Sequence, residues 1–385
     1  MDLLKGIRVL DLTRLLPGPL LTLFLADLGA EVIKIEDTEQ GDYLRWMLLS
    51  GNGQNNLFSV LNRDKKGIRL NLKLPDGIEV FKELSRRADV IVEGFRPGVM
   101  DKLGVGYPAI KEVNPAIVYC SLSGYGKDGP YSSCAGHDLN YIGVAGALGV
   151  TGGRNRPVIP GVQIGDIGGG SLTAFGAIML GLYNKERTGK GMYLDIAMTD
   201  SLLSFMAPYL PYLKTDMKRG EMELSGSIPS YNVYRTRDGK FVTLAALEPK
   251  FWDRFLRMVD RTDLREDQLA RGRDFERVYN ELQQVFQSKT REEWVEFFKD
   301  EDVCVAPVNE IDEIMEDPHI VSRGMFGYAG IGDTRSLTIM NPFYRDRQLR
   351  PREKAPEAGE HTVEILRQAG YSEQRIEQLK KNGAI

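Results

Sequence analysis

Strand-like and helix-like stretches alternate from the start of the chain. Residues 7–12 are a short apolar run typical of a buried strand, and the Pro-Gly-Pro at 17–19 opens an apolar stretch of helical length that ends near Leu28. Residues 31–36 form the next strand-like run. Because the connections are short and a helix separates the two runs, this unit predicts neighbouring parallel strands.

The same alternation continues to residue 122. Residues 68–73, 89–93 and 116–122 are strand-like, and residues 75–88 are of helical type. Strands that alternate with helices are typical of an α/β domain whose sheet is covered by helices. We therefore predict a large α/β domain with a parallel, Rossmann-like sheet flanked by helices.

The turn after the first strand indicates which classes of ligand the predicted sheet can bind. Residues 13–19 read Thr-Arg-Leu-Leu-Pro-Gly-Pro, without the Gly-x-Gly-x-x-Gly that lets a dinucleotide pyrophosphate approach the backbone. The chain has no Gly-Lys-Ser or Gly-Lys-Thr phosphate loop either. The sequence therefore disfavours a nicotinamide or flavin enzyme and an ATP hydrolase.

The second half of the chain changes character. A long helix with a glycine-rich start is predicted over residues 168–189, and residues 214–226 form a polar linker. Residues 232–236 and 240–244 flank an Arg-Asp-Gly turn and predict a β-hairpin.

Helical patterns follow at 249–259, 275–287 and 290–300, the last with a capping box at Thr290. These elements predict a smaller α+β domain. The predicted division is a large domain over residues 1–213 completed by residues 325–385, a linker over 214–226, and a small domain over 227–324.

Composition narrows the class of function. The chain has 385 residues and a formal net charge of −4, so it lacks the basic excess of a nucleic-acid-binding protein. Three cysteines without Cys-x-x-Cys spacing and three histidines argue against a disulfide scaffold and a metal site. The apolar stretch 15–28 is too interrupted to span a bilayer, and no signal-peptide pattern precedes it. We expect a cytoplasmic protein that binds neither nucleic acid nor membrane.

His137 is the first candidate for chemistry. It lies between Gly136 and a helix-like start, with Asp138 beside it. On a helix, Tyr141 would share a face with His137, so its hydroxyl is expected to hydrogen-bond the ring. A purely structural histidine is the alternative.

Asp166 is the second candidate. It precedes three successive glycines, residues 168–170, at the start of the long helix. A helix N-cap is the alternative for this aspartate, but a cap does not need the glycines. The glycines are expected to open bare backbone amides to a ligand, where they would stabilise a developing oxyanion.

Three further segments carry weaker signals. Glu248 precedes Pro249 at a predicted helix start, where a charged cap is the alternative to a functional role. Arg96 follows a parallel strand at the edge where such sheets bind ligands, with a surface ion pair as the alternative. The basic run 63–66 is expected to be a solvated face, or else to meet phosphates.

Together these segments resemble the family of type III CoA-transferases and α-methylacyl-CoA racemases, over nearly the whole chain. The segment 136–141 is similar to the racemase branch. The other segments that carry the resemblance are residues 6–12 with 17–19, 25–36, 62–73, 93–98, 122–126 and 165–170, with 188–191 and 317–319 as weaker traits.

The resemblance implies roles for particular residues. His137 and Asp166 would be the two catalytic bases, and Glu248 would come from the other subunit of an interlocked homodimer to orient the histidine. The substrate would be a CoA thioester, with no metal and no cofactor beyond that CoA. Where the family often has an arginine against the adenine, this chain has Asp37. The implied CoA contacts are Leu70, Asn71, Leu72, Lys73, Gly94, Phe95, Arg96, Gly136 and Tyr141.

The resemblance therefore implies a racemase of fatty acyl-CoA thioesters. Inverting a carbon next to a thioester needs one base on each face, and a histidine with an aspartate meets that need. We expect inversion of 2-methylacyl-CoA through an enolate. A CoA-transferase with Asp166 as nucleophile is one alternative, and a non-catalytic CoA-ester binder is another. His137 distinguishes the racemase from the transferase, because CoA transfer needs no second base.

Overall fold

The protein packs as two compact units in the computed structural model, which describes residues 2–47, 57–329, 336–343 and 353–385. The large unit draws on residues 1–145, 161–206 and 318–385, and the small unit on 146–160 and 207–317. The predicted domain boundaries stay a prediction, and no sequence pattern assigned residues 146–160 to the small unit. Residues 330–335 and 344–352 of the predicted segment 325–385 lie outside the described residues.

A six-stranded sheet organises the large unit. Its strands are β1 (Arg8–Leu12), β2 (Glu31–Glu36), β3 (Lys66–Arg69), β4 (Val90–Glu93), β5 (Val118–Ser123) and β6 (Met192–Ala197). All neighbours pair in parallel in the order β3-β2-β1-β4-β5-β6. The predicted Rossmann-like sheet is confirmed. The strand order reverses between β1 and β4, and open α/β sheets bind ligands at such a point.

Both units contain α-helices. In chain order they are α1 (Pro17–Asp27), α2 (Leu57–Asn62), α3 (Pro75–Arg86), α4 (Val99–Lys102), α5 (Tyr107–Val113), α6 (Asp138–Val144), α7 (Ala147–Val150), α8 (Thr173–Thr188), α9 (Met198–Phe205), α10 (Pro249–Met258), α11 (Arg273–Phe286), α12 (Arg291–Phe298), α13 (Pro318–Ser322), α14 (Thr362–Gln368) and α15 (Glu373–Lys381). Among the described residues, no helix is both long and apolar enough to cross a membrane.

One face of the sheet carries an apolar core. Leu10 of β1, Ile33 of β2 and Ile91 of β4 are fully buried there. Phe81 of α3 and Leu366 of α14 pack in the same cluster. Each such side chain contributes about 1.5–3 kcal/mol by leaving water, so the cluster fixes the sheet on which the site is built.

The predicted long helix begins differently from expectation. Residues Gly165–Leu172 form a π-helix that continues into α8, and Gly189 ends the helix in the left-handed region at φ 69°. A Cβ on Gly169 would lie 2.8 Å from the carbonyl oxygen of Met198, and one on Gly170 would lie 3.0 Å from Pro17. These glycines therefore let the π-helix pack against α9 and α1. The expectation that they expose amides to a ligand is wrong for Gly169 and Gly170, because both are buried.

The basic run 63–66 is mostly internal, so the expected solvated face is wrong. The guanidinium of Arg63 is buried against the carboxylate of Asp27, with the shortest N–O distance 2.5 Å. The Lys65 ammonium is buried 3.2 Å from a carboxylate oxygen of Asp11 and donates to Thr22 at 2.7 Å. These cations join strands and helices of the large unit.

The small unit is an α+β structure. Antiparallel strands β7 (Tyr231–Arg235), β8 (Phe241–Ala245) and β9 (Val305–Pro307) pair in that order, so the predicted hairpin is confirmed. The capping box at Thr290 is confirmed too, because its hydroxyl accepts from the Glu293 amide while the Glu293 carboxylate accepts from the Thr290 amide. A second short sheet, β10 (Phe326–Ala329) with β11 (Ser336–Ile339), lies in the large unit.

Candidate active site

A cavity of about 470 Å³ opens where the strand order reverses. Its walls come from the residues that follow β1, β4 and β5, together with the starts of α6 and of the π-helix. His137 and Asp166, the two predicted bases, both line it. The structure therefore brings these two residues to one site within the large unit.

His137 is the N-cap residue of α6. Its backbone is extended, at φ −130° and ψ 176°, and its amide donates to the side-chain oxygen of Asn140 at 3.1 Å. The Tyr141 hydroxyl donates to the carbonyl of Gly136, so the expected bond from Tyr141 to the imidazole is wrong. An N-cap residue lies outside the helical backbone, and spacing rules for helical faces do not apply to it. The imidazole is exposed.

The Tyr141 ring fixes the chain before His137. A Cβ on Gly136 would lie 2.7 Å from this ring, and the Tyr125 ring meets it edge-on at 5.2 Å. Burial, with the nearby charge of Asp166, raises the pKa of Tyr141 to about 12. The hydroxyl therefore stays a donor at neutral pH and holds the Gly136 carbonyl.

Asp166 lies in the first turn of the π-helix. Burial and then the neighbouring carboxylate of Asp138 raise the pKa of Asp166 to about 7. A carboxyl with that pKa occurs in both protonation states at neutral pH and can serve as acid or base. The N-cap position is Ile164, so Asp166 is not the helix cap that the sequence offered as an alternative.

The amides beside Asp166 are already engaged. The Asp166 amide donates to the Asp138 carboxylate at 2.9 Å, and the Ile167 amide donates to the Gln163 carbonyl at 2.9 Å. The expectation of bare amides at this point is therefore wrong. At the start of α6, next to His137, the first-turn amides of Asp138 and Leu139 have no acceptor within their own helix.

Buried charges shape the turn after β1, where other Rossmann-like proteins have glycines. Asp11 accepts the Thr13 amide at 2.9 Å, and the Lys34 ammonium donates to the Thr13 carbonyl at 3.0 Å. Leu15 is held in the left-handed region at φ 64°, which is costly for a residue with a Cβ. The turn presents Arg14 to the cavity, a residue that the sequence analysis missed.

Replacing Lys34 by methionine is expected to lower the free energy of unfolding by about 3–5 kcal/mol, because it removes the cation from a buried ion pair. The Lys34 ammonium lies 2.9 Å from the Asp42 carboxylate, and both side chains are fully buried. Urea denaturation measures the change. Lys66→Met is the matched control, since the Lys66 side chain is 33% exposed, and it is expected to cost less than about 1 kcal/mol. Equal losses in the two variants would contradict the expectation.

A second cavity, of about 390 Å³, lies along the carboxyl ends of β2 and β3. Arg14 and Phe95 line both cavities. Of the implied CoA contacts, Leu70, Asn71, Leu72, Lys73 and Phe95 line the second cavity. The others, Gly94, Arg96, Gly136 and Tyr141, line the first, as Phe95 also does.

Asp37, where the sequence departs from the family, lies at the rim of the second cavity. Its carboxylate accepts the Gln40 amide at 2.7 Å and pairs with the Arg14 guanidinium at 2.6 Å. Although burial opposes it, these contacts hold the pKa of Asp37 below its usual value. Asp37 therefore carries a negative charge that faces Arg14.

Arg96 lies at the first cavity, whereas Glu248 lies in the small unit. Arg96 is exposed, lines the first cavity, and forms no ion pair with any residue that the structure describes, so the surface ion pair offered as its alternative is absent there. Glu248 lies in the small unit as the exposed N-cap residue of α10, with Pro249 as the first helical residue. Its implied role toward His137 of another subunit stays a prediction.

Similarity to known proteins extends over nearly the whole chain. Residues 4–362 match the family described as CoA-transferase family III. The chain is 34% identical over 390 residues to an alpha-methylacyl-CoA racemase of Mus musculus, covering 99% of this chain and 97% of the racemase. It is 33% identical over 399 residues to a succinyl-CoA:glutarate CoA-transferase of Homo sapiens, covering 99% of this chain and 90% of the transferase.

A solved structure agrees with this similarity. A CAIB/BAIF family protein from Brucella suis matches with a TM-score of 0.79 at 28% identity, covering 95% of this chain and 99% of that protein. The comparisons therefore include a racemase and a transferase at nearly equal identity.

Proposed function

The chain belongs to CoA-transferase family III, and within that family of enzymes we propose that it inverts the α-carbon of 2-methylacyl-CoA thioesters. The observation that carries the proposal is the presence of an imidazole and a titratable carboxyl, His137 and Asp166, at one cavity. Inversion requires a proton to leave one face of the carbon and another to arrive at the opposite face. One base cannot serve both faces without a large movement, so a pair is needed.

For each proton that one of the two residues takes from the substrate, the other residue delivers one to it. In one direction the His137 imidazole takes the α-proton, the electron pair of the C–H bond moves into an enolate, and protonated Asp166 delivers its proton to the other face. In the reverse direction ionised Asp166 takes the proton and the imidazolium returns one. The raised pKa of Asp166, about 7, supports this scheme because both protonation states are populated near neutral pH.

The enolate oxygen needs hydrogen-bond donors. We place it against the first-turn amides of α6, from Asp138 and Leu139, because the Asp166 amide is already bonded. The CoA portion would extend past Arg14 and Phe95 into the second cavity. The proposal needs no metal or redox group, and it includes a homodimer in which Glu248 of a second copy orients His137.

The second candidate is CoA transfer to a carboxylic acid, and the similarity to a succinyl-CoA:glutarate CoA-transferase favours it. Asp166 would then attack the thioester to form an acyl-aspartyl anhydride and CoA thiolate, and the thiolate would attack the aspartyl carbonyl, which releases the donor acid and leaves an aspartyl-CoA thioester. The acceptor carboxylate would go through the same two steps in reverse, leave as its CoA thioester and regenerate the Asp166 carboxylate. The nucleophile in this reaction is ionised Asp166, and at a pKa of about 7 this form is populated near neutral pH, so the titration of Asp166 does not separate the two candidates. His137 has no part in that reaction.

Deuterium exchange tests the proposal. A 2-methylacyl-CoA thioester incubated with the enzyme in deuterium oxide, without any acceptor acid, is expected to gain deuterium at the α-carbon and to invert. Mass spectrometry and chiral chromatography follow the two changes. No exchange, together with movement of CoA to an added carboxylate, would decide for the transferase. If a panel of branched, aromatic and bile-acid-like thioesters shows neither α-deuterium exchange nor CoA transfer, the remaining candidate is a non-catalytic CoA-ester binder.

A further inference from the structure

Asp138 connects the two elements that carry the proposed bases. It follows His137 directly and is the first residue of α6, whereas Asp166 lies on the π-helix. A carboxylate oxygen of Asp138 accepts the Asp166 amide at 2.9 Å, across 28 positions of sequence. The position of one base relative to the other therefore depends on this side chain.

Residues of both α6 and the π-helix shape the contact between Asp138 and the Asp166 amide. A Cβ on Gly165 would lie 2.9 Å from the same carboxylate oxygen, so a side chain at this position would push the Asp138 carboxylate away from the Asp166 amide. The π-helix and α6 also pack against each other along this contact. The Asp138 carboxylate therefore lies in a packed contact between the two elements, beside the buried Gly165.

We propose that Asp138 is a positioning residue for Asp166. Its carboxylate anchors the first turn of the π-helix to α6, and its negative charge keeps the Asp166 carboxyl able to carry a proton. The catalytic part of this inference rests on the proposed function, because it concerns the protonated form of Asp166 as a proton donor.

Few other charges face Asp166. From α6 these are His137, which lines the same cavity, and Tyr141, whose hydroxyl stays protonated at neutral pH. Of the other elements packed on the π-helix, α1 carries only Asp27, paired with Arg63, and α9 carries only Asp200, which is exposed. The charges of α8 lie in its last turns, where Lys185 pairs with Asp89 and Glu186 and Arg187 are exposed, and β6 carries Asp195, which is exposed and accepts the Lys127 amide. After burial, the Asp138 carboxylate is the one group that acts on the titration of Asp166 among the described residues.

The test uses Asp138→Asn, which keeps an oxygen for the Asp166 amide and removes the charge. In protein labelled with carboxyl-¹³C aspartate, Asp166→Asn identifies the Asp166 signal by its loss. In Asp138→Asn this signal is expected to titrate about one pH unit lower than in the wild type, because the like charge is gone. Asp128→Asn, an exposed aspartate in the same unit, is the matched control and is expected to leave the titration in place.

Activity supplies the second readout. In Asp138→Asn the pH profile of α-deuterium exchange is expected to move down with the Asp166 titration. Asp138→Ala also loses the anchor, so its kcat is expected to fall about 10- to 100-fold below that of Asp138→Asn. KM for the thioester is expected to change little in both variants.

The outcomes separate this inference from the proposed function. An Asp166 titration that stays in place in Asp138→Asn would overturn the inference. If the titration moves but the wild type exchanges no α-proton, the proposed function fails while the positioning role holds. The titration needs no substrate, and Asp138→Asn keeps the fold-maintaining acceptor, so a poorly folding alanine variant does not block the test.

Discussion

His137→Ala is expected to slow inversion of the α-carbon by about 10³-fold or more, the scale on which a positioned acid or base contributes. Deuterium exchange is expected to persist at one epimer only. Without the imidazole, a proton can leave and return only on the face that Asp166 serves. Chiral chromatography with mass spectrometry measures inversion and exchange in the same samples.

His319→Ala is the matched control for this variant. His319 is exposed and lies outside the residues that line the cavity, so its loss is expected to leave inversion unchanged. Unaltered inversion in His137→Ala would remove the imidazole from the mechanism and contradict the assignment of His137 as one of two bases.

Asp166→Asn is expected to have an effect of similar size, about 10³-fold on inversion, because a carboxamide neither takes nor gives the proton. The stereochemistry of residual exchange is expected to be opposite. Exchange should persist at the epimer that lost it in His137→Ala, since the imidazole still serves its own face. Residual exchange at the same epimer in both variants would contradict two bases on opposite faces.

Loss of activity in Asp166→Asn does not by itself separate the two reactions, because the transferase also uses this carboxylate. Hydroxylamine added to the wild type during turnover separates them. The two-base scheme forms no acyl-aspartate, so no hydroxamate is expected at Asp166. A hydroxamate on the peptide that contains Asp166 would support the covalent route, and Asp128→Asn serves as a control for background labelling.

The sequence pattern was sufficient for the fold, and it pointed to two candidate bases that line one cavity. Alternating apolar strands and helices predicted the parallel sheet, because a strand buried on both faces has a distinct hydrophobic signature. His137 and Asp166 were found through their residue types and their glycine-rich surroundings. The structure adds that both line one cavity at the point where the strand order reverses.

Features that depend on contacts distant in sequence were not predictable in the same way. A Lys-Arg run has the same local pattern whether it is solvated or buried, and only the fold brings Asp27 to Arg63 and Asp11 to Lys65. The same is true of Asp138 and the Asp166 amide. Arg14 could have been predicted as a cavity residue from its position just after β1, because ligands bind at the carboxyl ends of strands.

The most direct measurement of the central claim starts from a single epimer of the thioester in deuterium oxide and stops after the first turnovers. Two bases on opposite faces predict that the inverted product carries α-deuterium while the remaining starting epimer stays largely protiated. Equal deuterium in both epimers from the first turnovers would mean that one base serves both faces. CoA moved to another acid with the α-proton retained would contradict the account altogether.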